Sequence, residues 1–108
     1  MDGLRMTTAV VKVVAALLAD PAADRYGLEL MRVTGLPSGT LYPVLERLQR
    51  AGWVEARWEQ LDPAAAGRPA RRYYRLTADG TAAARSELAA LHQQLGRAQQ
   101  PSTQPRLT

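Results

Sequence analysis

The sequence predicts a mostly α protein with a small β-hairpin, an α+β fold, on three observations. Between Ser38 and Gly52 the residues Leu41, Val44, Leu45, Leu48 and Ala51 recur at helical spacing and make one buried stripe. After Gly52 the period changes to 2, and two alternating segments are joined by a polar loop. Beyond Thr77, the residues Ala84, Leu88, Leu91 and Leu95 recur at spacings of four, three and four, the a/d seam of a long C-terminal helix.

A length of 108 residues fits one small domain with some extension. Domains of this size often gain stability by oligomerising. The formal charge is +4, from 14 Lys plus Arg against 10 Asp plus Glu, and Lys12 is the single Lys. So modest an excess makes its distribution matter more than its sum. Without Cys there is no disulfide, thiolate site or catalytic thiol. The Val/Ala/Leu run from Ala9 to Ala19 is interrupted by Lys12 and falls short of the ~18 apolar residues a membrane span needs. No signal peptide is evident, so a soluble, cytoplasmic protein is expected, with no membrane association.

Residues 1–6 read as a flexible terminus. Thr7 or Thr8 caps a first helix that runs to about Ala19. Its apolar positions, Val10, Val11, Val13, Val14, Leu17 and Leu18, cover more than one face, so it must meet more than one neighbour. The expectation is that one of those faces, carrying Val10, Val14 and Leu17, meets a second subunit. Asp20-Pro21 ends the helix. A second helix is expected over about Arg25 to Val33 with Asp24 as its cap, followed by the tight connector Thr34-Gly35-Leu36-Pro37.

Ser38 is the expected N-cap of the third helix and Gly52 its left-handed stop. Pro43 removes one helical hydrogen bond and disfavours helical dihedrals at Tyr42. Either regular helix begins near Thr40 or the first turn is distorted. The face opposite the apolar stripe carries Gly39, Tyr42, Pro43, Glu46, Arg47 and Arg50. Two short helices joined by a Gly-containing turn, the second basic on its outer face, form a helix-turn-helix signature.

In Trp53 to Glu59, Val54, Ala56 and Trp58 alternate with Glu55, Arg57 and Glu59. A second strand spans about Ala70 to Leu76, with Arg72, Tyr74 and Leu76 facing inward. Between them Gln60 to Pro69 reads as a flexible loop. Such a hairpin directly after a recognition-type helix is a wing, which completes a winged helix-turn-helix over residues 7–77. Arg68, Arg71, Arg72 and Arg75 concentrate positive charge on its second half. Tyr74, Trp53 and Trp58 are expected in the core or an interface.

Thr77 caps the last helix, expected over residues 78–96 with Gly96 as its stop and a length of about 27 Å. Its seam of Ala84, Leu88, Leu91 and Leu95 suits a dimerisation helix. Residues 97–108, rich in Pro, Gln, Ser and Thr, read as a disordered tail.

These pieces together resemble the PadR family of bacterial transcriptional regulators. The matching stretches are Tyr26-Gly27-Leu28-Glu29-Leu30, then Gly39-Thr40-Leu41-Tyr42-Pro43-Val44-Leu45-Glu46-Arg47-Leu48, then Gly67-Arg68-Pro69-Ala70-Arg71-Arg72-Tyr73-Tyr74-Arg75-Leu76-Thr77, and finally Ala78-Asp79-Gly80. They run in order between about Val10 and Leu95. The resemblance implies a winged-helix homodimer, held by the C-terminal helix against the N-terminal one, that represses by operator binding. Family members commonly respond to small molecules, often aromatic or cationic, so an effector is implied. The single C-terminal helix is similar to the short-tailed branch of the family, and the link Gly35-Leu36-Pro37-Ser38 is shorter than in many relatives.

The partner expected is double-stranded DNA. A recognition helix presents side chains to base edges from its first turns. Ser38, Gly39, Thr40, Tyr42 and Pro43 stand there, with hydroxyls and a phenol as hydrogen-bonding groups. Arg47 can reach a phosphate or a guanine edge, and Arg50, further back, the backbone. For both, a solvated face is the competing role, with Glu46 and Arg50 as an i,i+4 pair. On the wing, Arg68, Arg71, Arg72 and Tyr73 are the expected backbone or minor-groove contacts, against an inward salt bridge for Arg72.

An enzyme is not expected. His92 is the only His, and neither a metal-ligand cluster nor a Gly-rich phosphate loop is present, so no cofactor is called for. Two other readings share the fold. One is a winged helix that binds a protein partner. The other is a ligand sensor with a pocket at the dimer interface near Trp53, Trp58 and the last helix.

Overall fold

The computed structural model describes residues 4–99. Helix α1, Thr8–Leu18, starts on Thr7, whose side-chain oxygen accepts from the Val10 N–H at 3.2 Å. A two-residue strand β1, Arg25–Tyr26, leads into α2, Gly27–Thr34, and then α3, Ser38–Arg50. The wing consists of β2, Val54–Trp58, a one-turn helix α4, Pro63–Ala66, and β3, Arg72–Leu76. Helix α5, Ala78–Gln99, closes the described chain.

Helix α1 is the central element. It touches α2, α3, α5 and β3, and Val10, Val13, Val14 and Leu17 are buried by the chain itself. Leu30 of α2, Leu41, Val44, Leu45 and Leu48 of α3, Trp53, Val54, Tyr74, Leu76 and Ala84 complete the core. Burying each large aliphatic side chain contributes about 1.5–3 kcal/mol, so this cluster is the main source of stability. Leu4 and Met6 pack against it, so part of the N-terminal stretch expected to be loose is tied down.

The sheet is antiparallel with order β1-β3-β2. Arg25 pairs with Tyr74 and Tyr26 with Tyr73, which turns the expected start of the second helix into a strand. Helix α2 therefore begins at Gly27 with no side-chain cap. Asp24, expected as that cap, instead accepts from Arg57 Nη2 at 3.0 and 2.8 Å.

Helix α3 begins one residue earlier than a Ser38 cap requires. Pro37 is the cap residue, with φ −71° and ψ 160°, and its carbonyl accepts from Thr40 and Leu41 at 3.0 and 2.9 Å. Ser38 is thus the first helical residue. The helix continues through Pro43, so the late start near Thr40 does not occur. At the other end Gly52 has φ 79°, its N–H donates to the Gln49 carbonyl at 3.1 Å, and the Trp53 N–H donates to Leu48 at 2.9 Å. This is the two-bond glycine stop, and it aims the chain straight into β2.

Thr77 joins wing and last helix. Its hydroxyl oxygen accepts from the Gly80 N–H at 2.8 Å and its hydroxyl donates to the Gly52 carbonyl at 2.8 Å. Gly80 lies so close to Trp53 that a Cβ there would overlap the Trp53 backbone. Glycine is what lets α5 dock on the start of β2. The helix passes Gly96 without stopping and spans 22 residues, about 33 Å. Residues 97–99 of the expected disordered tail are therefore helical, and the rest of that tail lies outside the described residues.

Candidate nucleic-acid interface

The apolar stripe of α3 is buried, so its other face is fixed outward. Ser38, Gly39, Pro43, Glu46, Arg47 and Arg50 are exposed, Thr40 is half-buried, and no heavy atom lies near the position a Gly39 Cβ would take. Arg47 folds back so that its Nε donates to the Pro43 carbonyl at 3.5 Å, and the side chain is exposed. Arg50 pairs with Glu46 at 3.7 Å, the i,i+4 pair anticipated for it. Tyr42 does not simply point away. Its phenol lies over Gly27 of α2, where any Cβ would overlap the ring.

The four arginines on the second half of the wing fall into two pairs. Arg68 forms a forked pair with Glu59, Nη1 to Oε1 at 2.6 Å and Nη2 to Oε2 at 3.0 Å. The Tyr73 hydroxyl donates to the same carboxylate at 2.7 Å, and the Arg71 backbone N–H donates to it at 3.3 Å. The Arg68 guanidinium foremost, then the Tyr73 hydrogen bond, hold the Glu59 carboxyl down at about 2. The same carboxylate pushes the Tyr73 phenol up and the Arg68 guanidinium up. Arg75 is likewise held by Glu55 at 2.9 Å, with Asp24 at 3.9 Å. Arg71 and Arg72 have no carboxylate partner among the described residues and lie over aromatic rings instead. The Arg71 guanidinium carbon is 4.7 Å from the centre of the Tyr26 ring, and that of Arg72 is 5.2 Å from the Trp58 ring.

Sheet and helices meet at a concavity of about 420 Å³ lined by Tyr26, Gly27, Leu28, Arg32, Tyr42, Arg71, Arg72 and Tyr74. It joins the first turns of α3 to the loop end of β3. Of the residues expected to contact DNA, it brings together Tyr42, Arg71 and Arg72. It does not include Arg68 and Tyr73, which belong to the Glu59 cluster. The loop expected to be flexible holds a turn of helix capped by Asp62, whose side chain accepts from Ala64 N–H at 3.0 Å, with Gly67 at φ 69° behind it.

A basic and aromatic concavity beside an exposed helix face, on a winged-helix frame, is the arrangement of a nucleic-acid reader. The model of the transcriptional regulator PadR-like family matches residues 16–86. The chain belongs to the PadR-like family. Membership makes it a DNA-binding transcriptional regulator, in a family of regulators and not of enzymes. A PadR-like transcription factor from Bacteroides fragilis is 25% identical with a TM-score of 0.66, over 84% of this chain and 85% of that one. Bordetella bronchiseptica BpsR, a protein whose DNA binding is regulated by 6-hydroxynicotinic acid, shares the fold at a TM-score of 0.69 and 20% identity, over 94% of this chain and 66% of that one. The circadian clock associated protein Pex from Anabaena does so at 0.59 and 23%, over 83% and 78%. No curated protein matches the chain significantly. Among the described residues no helix is long and apolar enough to cross a membrane, and no group of His, Cys, Asp and Glu is placed to hold a metal ion.

In this PadR-like chain the seam expected to hold a second subunit divides. Val10, Val14, Leu17 and Ala84 are at most 2% exposed within one copy, so they belong to its own core and offer no surface. These residues of α1 are covered by α2, α3 and α5, while Lys12 and Ala15 are exposed and Val11 and Leu18 half-buried. Leu88 and Leu91 are half-buried and Leu95 is 54% exposed, so the apolar surface left on α5 lies in its second half. Trp58, expected in the core or an interface, is 62% exposed at the far end of β2 and so lies outside the core of one copy, whereas Trp53, just before β2, is buried. Along an extended strand they stand about 17 Å apart. Sequence reasoning did not single out Tyr26, Leu28 and Arg32 as part of the site. The signal was the spacing of four between Leu28 and Arg32, which puts both on one face of α2.

Proposed function

We propose that the chain is a homodimeric repressor that binds an inverted-repeat operator and is released by a small-molecule effector. The observation that carries the DNA-reading part is the concavity joining Tyr42 of α3 to Arg71 and Arg72 of the wing, two cations without carboxylate partners among the described residues. In this reading Ser38, Gly39, Thr40 and Tyr42 enter the major groove at the helix N-terminus, where the backbone N–H groups also favour a phosphate. Pro43 and Arg47 flank that contact. The wing holds the backbone alongside. The apolar residues Leu88, Leu91 and Leu95 on the second half of α5 support dimerisation through that helix. The effector and the repressing sense rest on the family resemblance.

The test is binding of the purified protein to the DNA upstream of its own gene across a salt series. A dimer making roughly 6–10 phosphate contacts gives a log–log slope of about −5 to −9. The footprint should cover two symmetric half-sites about one helical turn apart. A slope near −1, or protection of one asymmetric half-site, would overturn the reading.

A further inference from the structure

We propose that the concavity between α2, α3 and the wing is a seat for one backbone phosphodiester per protomer. Arg32, Arg71, Arg72 and the Tyr42 hydroxyl are its donors, and Tyr26 and Trp58 are the residues that position its arginines. The proposal rests on the DNA-binding reading and adds to it the place and the parts of a phosphate contact.

The lining carries three guanidiniums and no carboxylate. Five other arginines are paired with acids. Arg25, Arg50, Arg57, Arg68 and Arg75 all have a carboxylate within 4.0 Å. A cation already paired with an acid gives little net attraction to a phosphate. A cation lying over a ring keeps its full charge and its rim of N–H donors, because the ring meets only the flat face of the guanidinium. The Tyr26 and Trp58 rings, at 4.7 and 5.2 Å, thus restrict where Arg71 and Arg72 point without neutralising them.

Trp58 itself makes the point. At 62% exposure its ring gains little from burial, so the apolar core does not explain its placement at the end of β2. It stands directly across the ladder from Arg72, as the register Trp58↔Arg72 requires. Arg32 comes from the other side, on the face of α2 that shares the concavity. A DNA strand running from a groove-bound α3 to the wing passes over this position, and backbone contacts of this kind fix the register of the protein on the duplex.

The test measures duplex binding over a salt series for wild type, Arg32→Ala, Arg72→Ala, Trp58→Ala and Trp58→Phe. Two duplexes are used, the upstream DNA and an unrelated sequence of equal length. Arg32→Ala and Arg72→Ala should each flatten the slope by about 0.9 per protomer, equally on both duplexes, because a phosphate contact carries no sequence information. Trp58→Ala should reproduce the Arg72→Ala loss, Trp58→Phe should restore the parental slope by restoring a ring face, and the Trp58→Ala/Arg72→Ala pair should lose no more than Arg72→Ala alone. A steep wild-type slope that Arg32→Ala and Trp58→Ala leave unchanged overturns the seat and leaves the regulator reading standing. A loss confined to the upstream duplex also overturns it, since the site then reads bases. A wild-type slope near −1 overturns both the seat and the DNA-binding reading beneath it.

Discussion

Within eight residues of the wing, Arg68 and Arg75 are bound to carboxylates while Arg71 and Arg72 lie over aromatic rings. All four carry the same formal charge. The first pair is local mortar: Arg68 and Glu59 fasten the wing loop to the strand, and Arg75 and Glu55 brace the outer face of the sheet. The second pair is aimed but not neutralised, and it is the pair that shares a concavity with Tyr42 of α3. A count of arginines therefore overstates the attraction for DNA, and the partner of each arginine decides which of them contribute.

The largest expected effect breaks the comparison at its active end. An Arg71→Ala/Arg72→Ala variant of a dimer gives up the seated phosphate of each protomer, two contacts, which lowers affinity roughly thirtyfold near 0.15 M salt and flattens the slope by about 1.8. An Arg68→Ala/Arg75→Ala variant removes the same formal charge and should leave the slope close to the parent. Binding curves for the two variants side by side decide it, and equal losses would mean that formal charge, not pairing, governs the contact.

Next in size is the conversion of one class into the other. Glu59→Gln takes away the charge that holds Arg68 while keeping a hydrogen-bonding side chain. Arg68 then becomes an unpaired cation at the wing, and the slope on any duplex should steepen by up to about 0.9 per protomer. The wing should also loosen, read as faster hydrogen exchange of the backbone amides between Glu59 and Arg71. Faster exchange with an unchanged slope would show that Arg68 faces away from the DNA in either state.

How far this was legible depends on the distance between partners along the chain. The stripe of Leu41, Val44, Leu45 and Leu48 and the caps at Thr7 and Thr77 were readable because each depends on neighbours within one or two turns. Strand β1 was not, because Arg25 and Tyr26 become a strand only by pairing with Tyr74 and Tyr73. Asp24 looked like a cap for the same reason, its real partner Arg57 being 33 residues away. Period-2 alternation assigned Trp58 to the inner face of the wing but not to the part of that face which runs out beyond the helices. Helix α1 plainly needed neighbours on several sides, yet nothing in Val10, Val14 or Leu17 said that its own α2, α3 and α5 supply them. The resemblance located the site on α3 and the wing. It could not separate Arg68 from Arg71, since that depends on a carboxylate brought back by the hairpin.

The smallest effect tests how the Glu59 cluster is built. Its carboxyl sits at about 2 against an ordinary 4.5, so the native state favours the ionised form. A lowered value makes the linked stability fully present above about 4.5; it is lost as the pH falls from there toward 2, because the unfolded chain takes up the proton first. The thermal midpoints of wild type and Glu59→Gln should therefore differ most near neutral pH and converge across that window. Tyr73→Phe removes one donor and leaves Arg68 in place. The Glu59 titration, followed by the carboxyl carbon shift in NMR, should move up from about 2 but stop short of 4.5. A titration that returned all the way would make the phenol, not the guanidinium, the group that holds the carboxylate. The pairing of Arg68 would then be a consequence of the Tyr73 hydrogen bond rather than the reason Arg68 is withdrawn from the DNA-facing set.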